Sequence, residues 1–194
     1  MTVQDLFFQR YDPLYQFWLA VLWKDVPPEL LRQRPHPNVN SIAWNLWHLT
    51  RVEDAGLNRF VSDRPQVFDE GRWMQRLNLP WRHQGTDMTF AEVDELDARI
   101  DVEALHAYSD AVQARTREIV SGLNIQVLDE TMQPDRLRLI LFDEGLAHPS
   151  ASGLLENYTG WTKGKCLFSF GLTHPWQHVG EIGVIVGLLG LNFD

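Results

Sequence analysis

Residues 41–54 read SIAWNLWHLTRVED and have the spacing of a helix with one apolar face. Asn40 or Ser41 can serve as the N-cap, and the predicted helix runs to about Val61. Apolar side chains recur along one face and one step beside it, at Ile42, Trp44, Leu46, Trp47 and Leu49. Charged side chains are predicted on the far side, at Arg51, Glu53, Asp54 and Arg59. This pattern favours a helix packed against other helices, with His48 inside the apolar stretch.

The remaining chain is also predicted to be mainly helical. Its predicted helices are residues 3–24, a short one beginning at the Thr89–Glu92 capping box, 102–123, 125–150, and 152–191 with an interruption near 171–175. The pattern over 125–150 also fits a strand, because its leucines alternate. The composition of residues 63–88 predicts a long structured loop that contains a short helix or serves a function. We expect Trp73 and Trp81 to pack against the core and hold this loop in place.

Composition limits the class of protein. The 194 residues form one predicted domain, 1–194, and a hydrophobic content of 44% is sufficient for a buried core. A net charge of −9 without dense Lys or Arg argues against nucleic acid and anionic membranes as partners. The longest apolar stretch, residues 182–191, is shorter than the ~20 residues of a membrane-spanning helix.

The single cysteine, Cys166, excludes an internal disulfide and a thiolate metal cluster. Residues 1–17 mix acidic and polar side chains with apolar ones, unlike a signal or transit peptide. Both observations fit a reducing cytosol, so we expect a cytoplasmic protein.

Three of the seven histidines are candidate ligands of one divalent metal ion. His48 lies mid-helix among apolar residues, where an imidazole needs a hydrogen bond or a metal. His174 and His178 stand four residues apart in HPWQH, so on a helix they face the same way. Three neutral imidazoles meeting in a helical core would leave the ion with an open position, as in a working site rather than a structural one. The other histidines are predicted at the surface, at His36, His83, His106 and His148.

Two polar residues and one proline bear on this site. Asn45 and Glu181 each lie three residues from a candidate ligand, so either could orient an imidazole through its second nitrogen. The alternatives are a helix-packing Asn and a solvated Glu. Pro175 pushes His174 towards extended backbone, which would make the four-residue relation only approximate.

The segment at 41–54 and HPWQHVGEIGVIVGLLG at 174–190 resemble the DinB-like (DinB/YfiT) superfamily of predicted metalloenzymes, and AYSDAVQART at 107–116 fits its third helix. The resemblance implies an all-α fold, a four-helix bundle of up-down-down-up topology with long connecting loops. It also implies that the protein is a homodimer. It further implies nickel or zinc on a triad that here is His48, His174 and His178.

The same resemblance implies a reaction class. Relatives of known activity are similar to transferases and isomerases that use a low-molecular-weight thiol such as bacillithiol or mycothiol, so we expect a small-molecule substrate. Three hypotheses stay open: a metal-dependent thiol transferase or hydrolase, a non-catalytic metal- or ligand-binding stress-response module, and a metal-free protein with ordinary core and cap histidines. Nickel, zinc, cobalt and iron all suit imidazole ligands. Residues 125–173 and Pro175 depart from many relatives, which bears on the substrate pocket.

Overall fold

A computed structural model describes residues 1–191, and helices make up most of them. The α-helices, in chain order, are α1 (Val3–Pro13), α2 (Ala20–Asp25), α3 (Pro28–Leu31), α4 (Ile42–Ala55), α5 (Val67–Glu70), α6 (Trp73–Arg76), α7 (Phe90–Arg99), α8 (Val102–Ser121), α9 (Pro134–Arg138), α10 (Leu154–Tyr158), α11 (Lys163–Phe168) and α12 (His174–Leu188). The π-helical turns are Leu14–Leu19, Gly56–Val61, Leu139–Asp143 and Ser169–Thr173, and Ile125–Asp129 is a 3-10 helix. Thr131 and Thr162 form an isolated antiparallel bridge, and residues 1–191 contain no strand. The predicted all-α class is confirmed.

The long helical stretches cover residues 3–25, 42–61, 102–121 and 163–188. Side chains at their starts accept hydrogen bonds from backbone N–H groups, at Thr2, Ser41, Asp101 and Thr162. The predicted capping box is also present, because Thr89 and Glu92 exchange hydrogen bonds at the start of α7. The helices predicted over 3–24, up to Val61, and over 102–123 are therefore confirmed within a few residues.

Helix α4 is central to the core, because every residue from Ile42 to Ala55 is buried. It packs against both α8 and α12. The predicted polar far side is therefore wrong: Arg51, Glu53 and Asp54 are buried, and Arg59 is mostly buried. Partners on neighbouring segments satisfy these charges, which is the condition for burying them.

The predicted interruption near 171–175 is a π-helical turn, not a break. Ser169–Thr173 passes directly into α12. The expectation that Pro175 pushes His174 out of the helical region is wrong, since His174 has φ −64° and ψ −49°. Pro175 lies in the first turn of α12, where no N–H is required, and the wider π turn before it gives the proline ring room. The two histidines of α12 therefore keep their one-turn relation.

The connecting regions are partly helical. The loop predicted over 63–88 contains α5 and α6, with Trp73 buried and Trp81 partly buried, as predicted. Residues 125–150, predicted as helix, are divided into a 3-10 helix, α9 and a π turn. Among residues 1–191, we find no helix with the length and apolar character that crossing a bilayer requires.

Candidate metal centre

The three candidate histidines meet at one point, and we call them the histidine triad. α4 supplies His48, while α12 supplies His174 and His178 one turn apart. Nε2 of His174 lies 3.1 Å from Nε2 of His48 and 3.1 Å from Nε2 of His178. The donor atoms of all three lie within 4.8 Å of one another, so the group could hold a metal ion.

His48 is held at its edge and on its face. Its Nδ1 lies 2.5 Å from the backbone carbonyl oxygen of Gln84. Since a carbonyl only accepts, Nδ1 must carry the proton of the neutral ring. The Trp44 indole stacks on the imidazole, with ring centroids 4.6 Å apart and planes 15° apart. The unprotonated Nε2 therefore points at the other two histidines.

His178 is oriented by both residues that the sequence suggested. Asn45 Oδ1 and Glu181 Oε2 each lie 2.8 Å from its Nδ1. The Asn45 amide is itself fixed, because its Nδ2 donates to the Ser41 carbonyl at 2.9 Å. Acceptors at Nδ1 place the proton there and leave Nε2 free. Asn45 thus contacts the imidazole on α12 rather than His48 on its own helix.

His174 is the least constrained member of the triad. Its Nδ1 is buried and has no hydrogen-bond partner among the described residues. Its ring meets those of His48 and His178 edge to face, with centroids 4.9 Å and 4.5 Å away. His174 is partly exposed, whereas the other two histidines are buried.

Burial keeps the triad neutral. Burial, together with the nearby His178, lowers the pKa of His48 to about 3. Burial and the two neighbouring imidazoles lower the pKa of His174 to about 2. Burial also lowers the pKa of His178, against the opposing effect of Glu181. Metal ligation requires neutral imidazole, so these rings are ready to bind at neutral pH.

Convergence of the Nε2 atoms leaves lone pairs facing one another. His48 and His178 have acceptors at Nδ1, so in neutral rings their Nε2 atoms cannot donate. His174 can donate one N–H, which satisfies at most one of its neighbours. Two imidazole nitrogens bound at ~2.1 Å to one ion are ~3.0 Å apart at right angles and ~3.4 Å apart at tetrahedral angles. Two of the three observed separations, 3.1 Å each, lie in this range, and all three donor atoms lie within 4.8 Å of one another.

Two contacts at the triad were not predicted from the sequence. Gln84 takes part through a backbone carbonyl, which no side-chain pattern reveals. Trp44 could have been identified, because it stands four residues before His48 on the same helix.

Two histidines predicted at the surface are not there. His83 is 7% exposed, and its ring packs edge to face on that of His148 at 4.8 Å. The His148 side chain is 10% exposed and pairs with Glu92 at 3.0 Å. His106 is exposed, as predicted.

A second buried polar group lies further along α4. We call it the carboxylate cluster, and its charged members are Arg51, Glu53 and Asp54. Hydroxyl groups donate to Glu53 from Tyr11 at 2.5 Å, Thr116 at 2.7 Å, and Tyr15. Donors to Asp54 are the Tyr108 hydroxyl at 2.6 Å, the Asn58 amide at 2.8 Å, and the backbone N–H groups of Val67 and Phe68. Arg51 lies 3.5 Å from Asp54.

The carboxylates of this cluster have raised proton affinity. Burial raises the pKa of Glu53 to about 7, although hydroxyl donors oppose the shift. Burial also raises the pKa of Asp54, and the Arg51 charge opposes it. Every carboxylate oxygen of the cluster accepts at least one hydrogen bond.

A separate groove of about 680 Å³ lies between the 3–25 stretch and α12, and we call it the α12 groove. Its lining is mainly apolar and includes Trp18, Val21, Ile182 and Gly187, without any member of the triad. Phe17 and Trp18 at this groove are 60% and 50% exposed.

Comparison with known proteins agrees with the geometry. The sequence model of the DinB superfamily matches residues 19–182, which include the whole triad. No curated protein matches the chain. A crystal structure of a conserved protein from Enterococcus faecalis is similar over 98% of this chain and 99% of that chain, with a TM-score of 0.72 and 15% sequence identity. At that identity the likeness concerns the fold alone. The family match covers most of the chain, and the protein therefore belongs to the DinB superfamily.

Proposed function

We propose that this protein is a metal-dependent enzyme that holds nickel or zinc on the histidine triad and uses a low-molecular-weight thiol. The observation that carries the metal site is that two of the rings have hydrogen-bond acceptors at Nδ1. Gln84 holds the His48 proton on Nδ1, and Asn45 with Glu181 does the same for His178. The remaining lone pairs converge on one point, where a cation relieves their repulsion.

The ligand number supports a reactive centre over a purely structural one. Three protein ligands leave at least one position for water or a small molecule. A bound divalent ion would stabilise a thiolate or lower the pKa of bound water towards ~7. On this proposal, a small-molecule substrate would approach that position past His174, the partly exposed member of the triad.

The state of the single cysteine supports a thiol supplied from outside. Cys166 is fully buried, and burial raises its pKa to about 12. It therefore stays protonated at neutral pH, whereas the thiolate is the nucleophilic form. The chain has no second cysteine. A free thiol such as bacillithiol or mycothiol would fill this role.

Cobalt-substituted protein provides the test of thiol binding. Added cysteine, bacillithiol or mycothiol should produce a thiolate-to-cobalt absorption band in wild type and in His106→Ala, which alters an exposed histidine. His174→Ala should lose the band. Thiol transfer to chlorodinitrobenzene should then require the loaded protein. Absence of both band and transfer in protein with a full metal site would refute the thiol role and leave the metal site standing.

The alternative is a non-catalytic metal- or ligand-binding stress-response module. The triad joins the core helices α4 and α12, so a bound ion would brace them. This alternative predicts that a chelator lowers the melting temperature strongly while no thiol or electrophile binds.

Family membership supports the wider parts of the proposal. We propose that the long helical stretches form an up-down-down-up four-helix bundle within a single domain over 1–194. We also propose that the protein is cytoplasmic and forms a homodimer. The net charge of −9 supports small molecules over nucleic acid or membranes as partners.

The α12 groove supports a second copy of the chain as the dimer partner. Phe17 and Trp18 project beside the groove, so a two-fold related copy can insert the same aromatic side chains reciprocally. Lys24 and Asp25, of opposite charge, also line it, which suits a self-complementary contact. Sedimentation should give twice the chain mass of 22.5 kDa. Trp18→Glu should give monomers, and Leu6→Glu, at an exposed site outside the groove, should not. A monomeric wild type would contradict the dimer.

A further inference from the structure

We infer that residues 82–86, here called the bracing loop, position the His48 imidazole for metal binding. The inference rests on the proposed metal centre. The loop forms a hydrogen bond with the triad through the Gln84 carbonyl oxygen, 2.5 Å from His48 Nδ1. An acceptor at this nitrogen fixes the proton on Nδ1 and keeps Nε2 free for a metal. Without it, the proton can occupy Nε2, where it blocks coordination.

Several anchors hold the bracing loop in place. Arg51 Nη2 donates to the Arg82 carbonyl at 2.6 Å. The Gln84 N–H donates to the Leu146 carbonyl at 3.0 Å. The Arg82 side chain pairs with Asp69 and donates to the Glu144 carbonyl. The loop is thus tied to α4, to the segment around α5 and to residues 144–146.

Gly85 sets the direction of the Gln84 carbonyl. That carbonyl belongs to the peptide unit joining Gln84 to Gly85, so its orientation depends on the φ of Gly85. This φ is +94°, in the region that only glycine adopts readily. A Cβ at position 85 would lie 2.5 Å from Cζ3 of Trp47, which is fully buried. Both backbone and space therefore require glycine here.

The anchors give a role to part of the long region that follows α8. Leu146 and Glu144 lie within residues 125–150 and contact the bracing loop through backbone carbonyls. They are linked to His48 through the bracing loop. On this basis residues 144–146 support the metal centre without contacting the triad's donor atoms.

The first test compares two glycine variants in zinc affinity, measured by competition with a chromophoric chelator. Gly85→Ala should weaken zinc binding by about 10- to 100-fold, the usual effect of losing an orienting contact. Gly160→Ala is the matched control, because Gly160 also has a positive φ, +78°, but nothing lies within 4 Å of its Cβ. Its zinc affinity should equal that of wild type. Equal affinities in the two variants would overturn the inference.

A gentler variant covers the case in which Gly85→Ala does not fold. Arg82→Gln removes the side-chain anchor at a partly exposed position and should weaken zinc binding several-fold, with a nearly unchanged melting temperature. Wild-type affinity in Arg82→Gln would overturn the inference.

Nitrogen-15 NMR of histidine-labelled, metal-free protein reads the proton position directly. His48 in wild type should carry its proton on Nδ1, and Gly85→Ala should shift population to Nε2. A wild-type His48 protonated on Nε2 would overturn the inference. Failure of wild type to bind any divalent metal would instead refute the proposed function, and the NMR result would still decide the role of the bracing loop.

Discussion

Helix α4 carries two buried polar regions that differ in how their hydrogen-bonding groups are satisfied. In the histidine triad, neutral nitrogens converge and too few N–H groups are available to satisfy them. In the carboxylate cluster, buried charges are met by a donor at every carboxylate oxygen. This difference shows how a functional group of buried polar residues can be distinguished from a structural one in a protein core. Buried carboxylates with a donor at every oxygen stabilise the fold, whereas unmet acceptors that share one point indicate a cation.

The largest expected effect on the free energy of unfolding comes from removing one carboxylate of the carboxylate cluster. Asp54→Ala leaves Arg51 buried without its anion, which should reduce the free energy of unfolding by ~3–5 kcal/mol. Urea unfolding of metal-free protein measures it. Glu95→Ala, which breaks an exposed pair with Arg99, should change the value by less than ~1 kcal/mol. Similar losses in both variants would show that the buried cluster contributes no more to stability than an exposed ion pair.

The next effect is the pH dependence that the cluster imposes. The pKa of Glu53 is raised from 4.5 to about 7 in the folded protein. Between these values the folded protein holds a proton that the unfolded chain has released, so stability falls as pH rises through this window. The fall attributable to Glu53 is on the order of 3 kcal/mol.

Glu53→Gln isolates this contribution, because Asp97, whose pKa burial also raises to about 7, adds a slope of the same sign. The variant should lose stability less steeply than wild type as the pH rises towards about 7, in urea unfolding measured at matched pH values. Parallel curves for the two proteins would refute the raised pKa of Glu53.

A smaller effect belongs to the triad. Glu181→Ala removes one acceptor from His178 Nδ1 and should weaken zinc binding about tenfold, equal to ~1.4 kcal/mol. Because the Glu181 side chain is 44% exposed, the free energy of unfolding without metal should change by less than ~0.5 kcal/mol. Glu103→Ala, at an exposed position of α8, is the control. Zinc affinity unchanged by Glu181→Ala would leave Asn45 as the orienting residue.

The sequence was sufficient to predict the helices over 3–24, up to Val61 and over 102–123, because their periodicity lies within single segments. It also identified the three histidines, through the HPWQH spacing and the family resemblance, although His48 and His174 are 126 residues apart. It was insufficient for the burial of Glu53 and Asp54. Their hydroxyl partners, Tyr11 and Tyr108, are 42 and 54 residues away along the chain, so α4 alone resembles a helix with a solvated face. The Gln84 contact was also out of reach, because it depends on backbone conformation.

The error at Pro175 has a similar origin. The rule for residues before proline describes an isolated dipeptide and predicts extended backbone at His174. In the folded chain, the π turn that ends at Thr173 runs directly into α12, and His174 keeps helical φ and ψ despite this preference. A local preference gave way to packing of the whole helix.

Metal content tests the central claim most directly. Protein purified without an affinity tag and loaded with zinc should contain close to one ion per chain. The double variant His48→Ala, His178→Ala should contain almost none, while His36→Ala, His106→Ala, which removes two histidines outside the triad, should match wild type. Circular dichroism should show that all three proteins are helical. Wild-type metal content in a folded His48→Ala, His178→Ala variant would contradict the account.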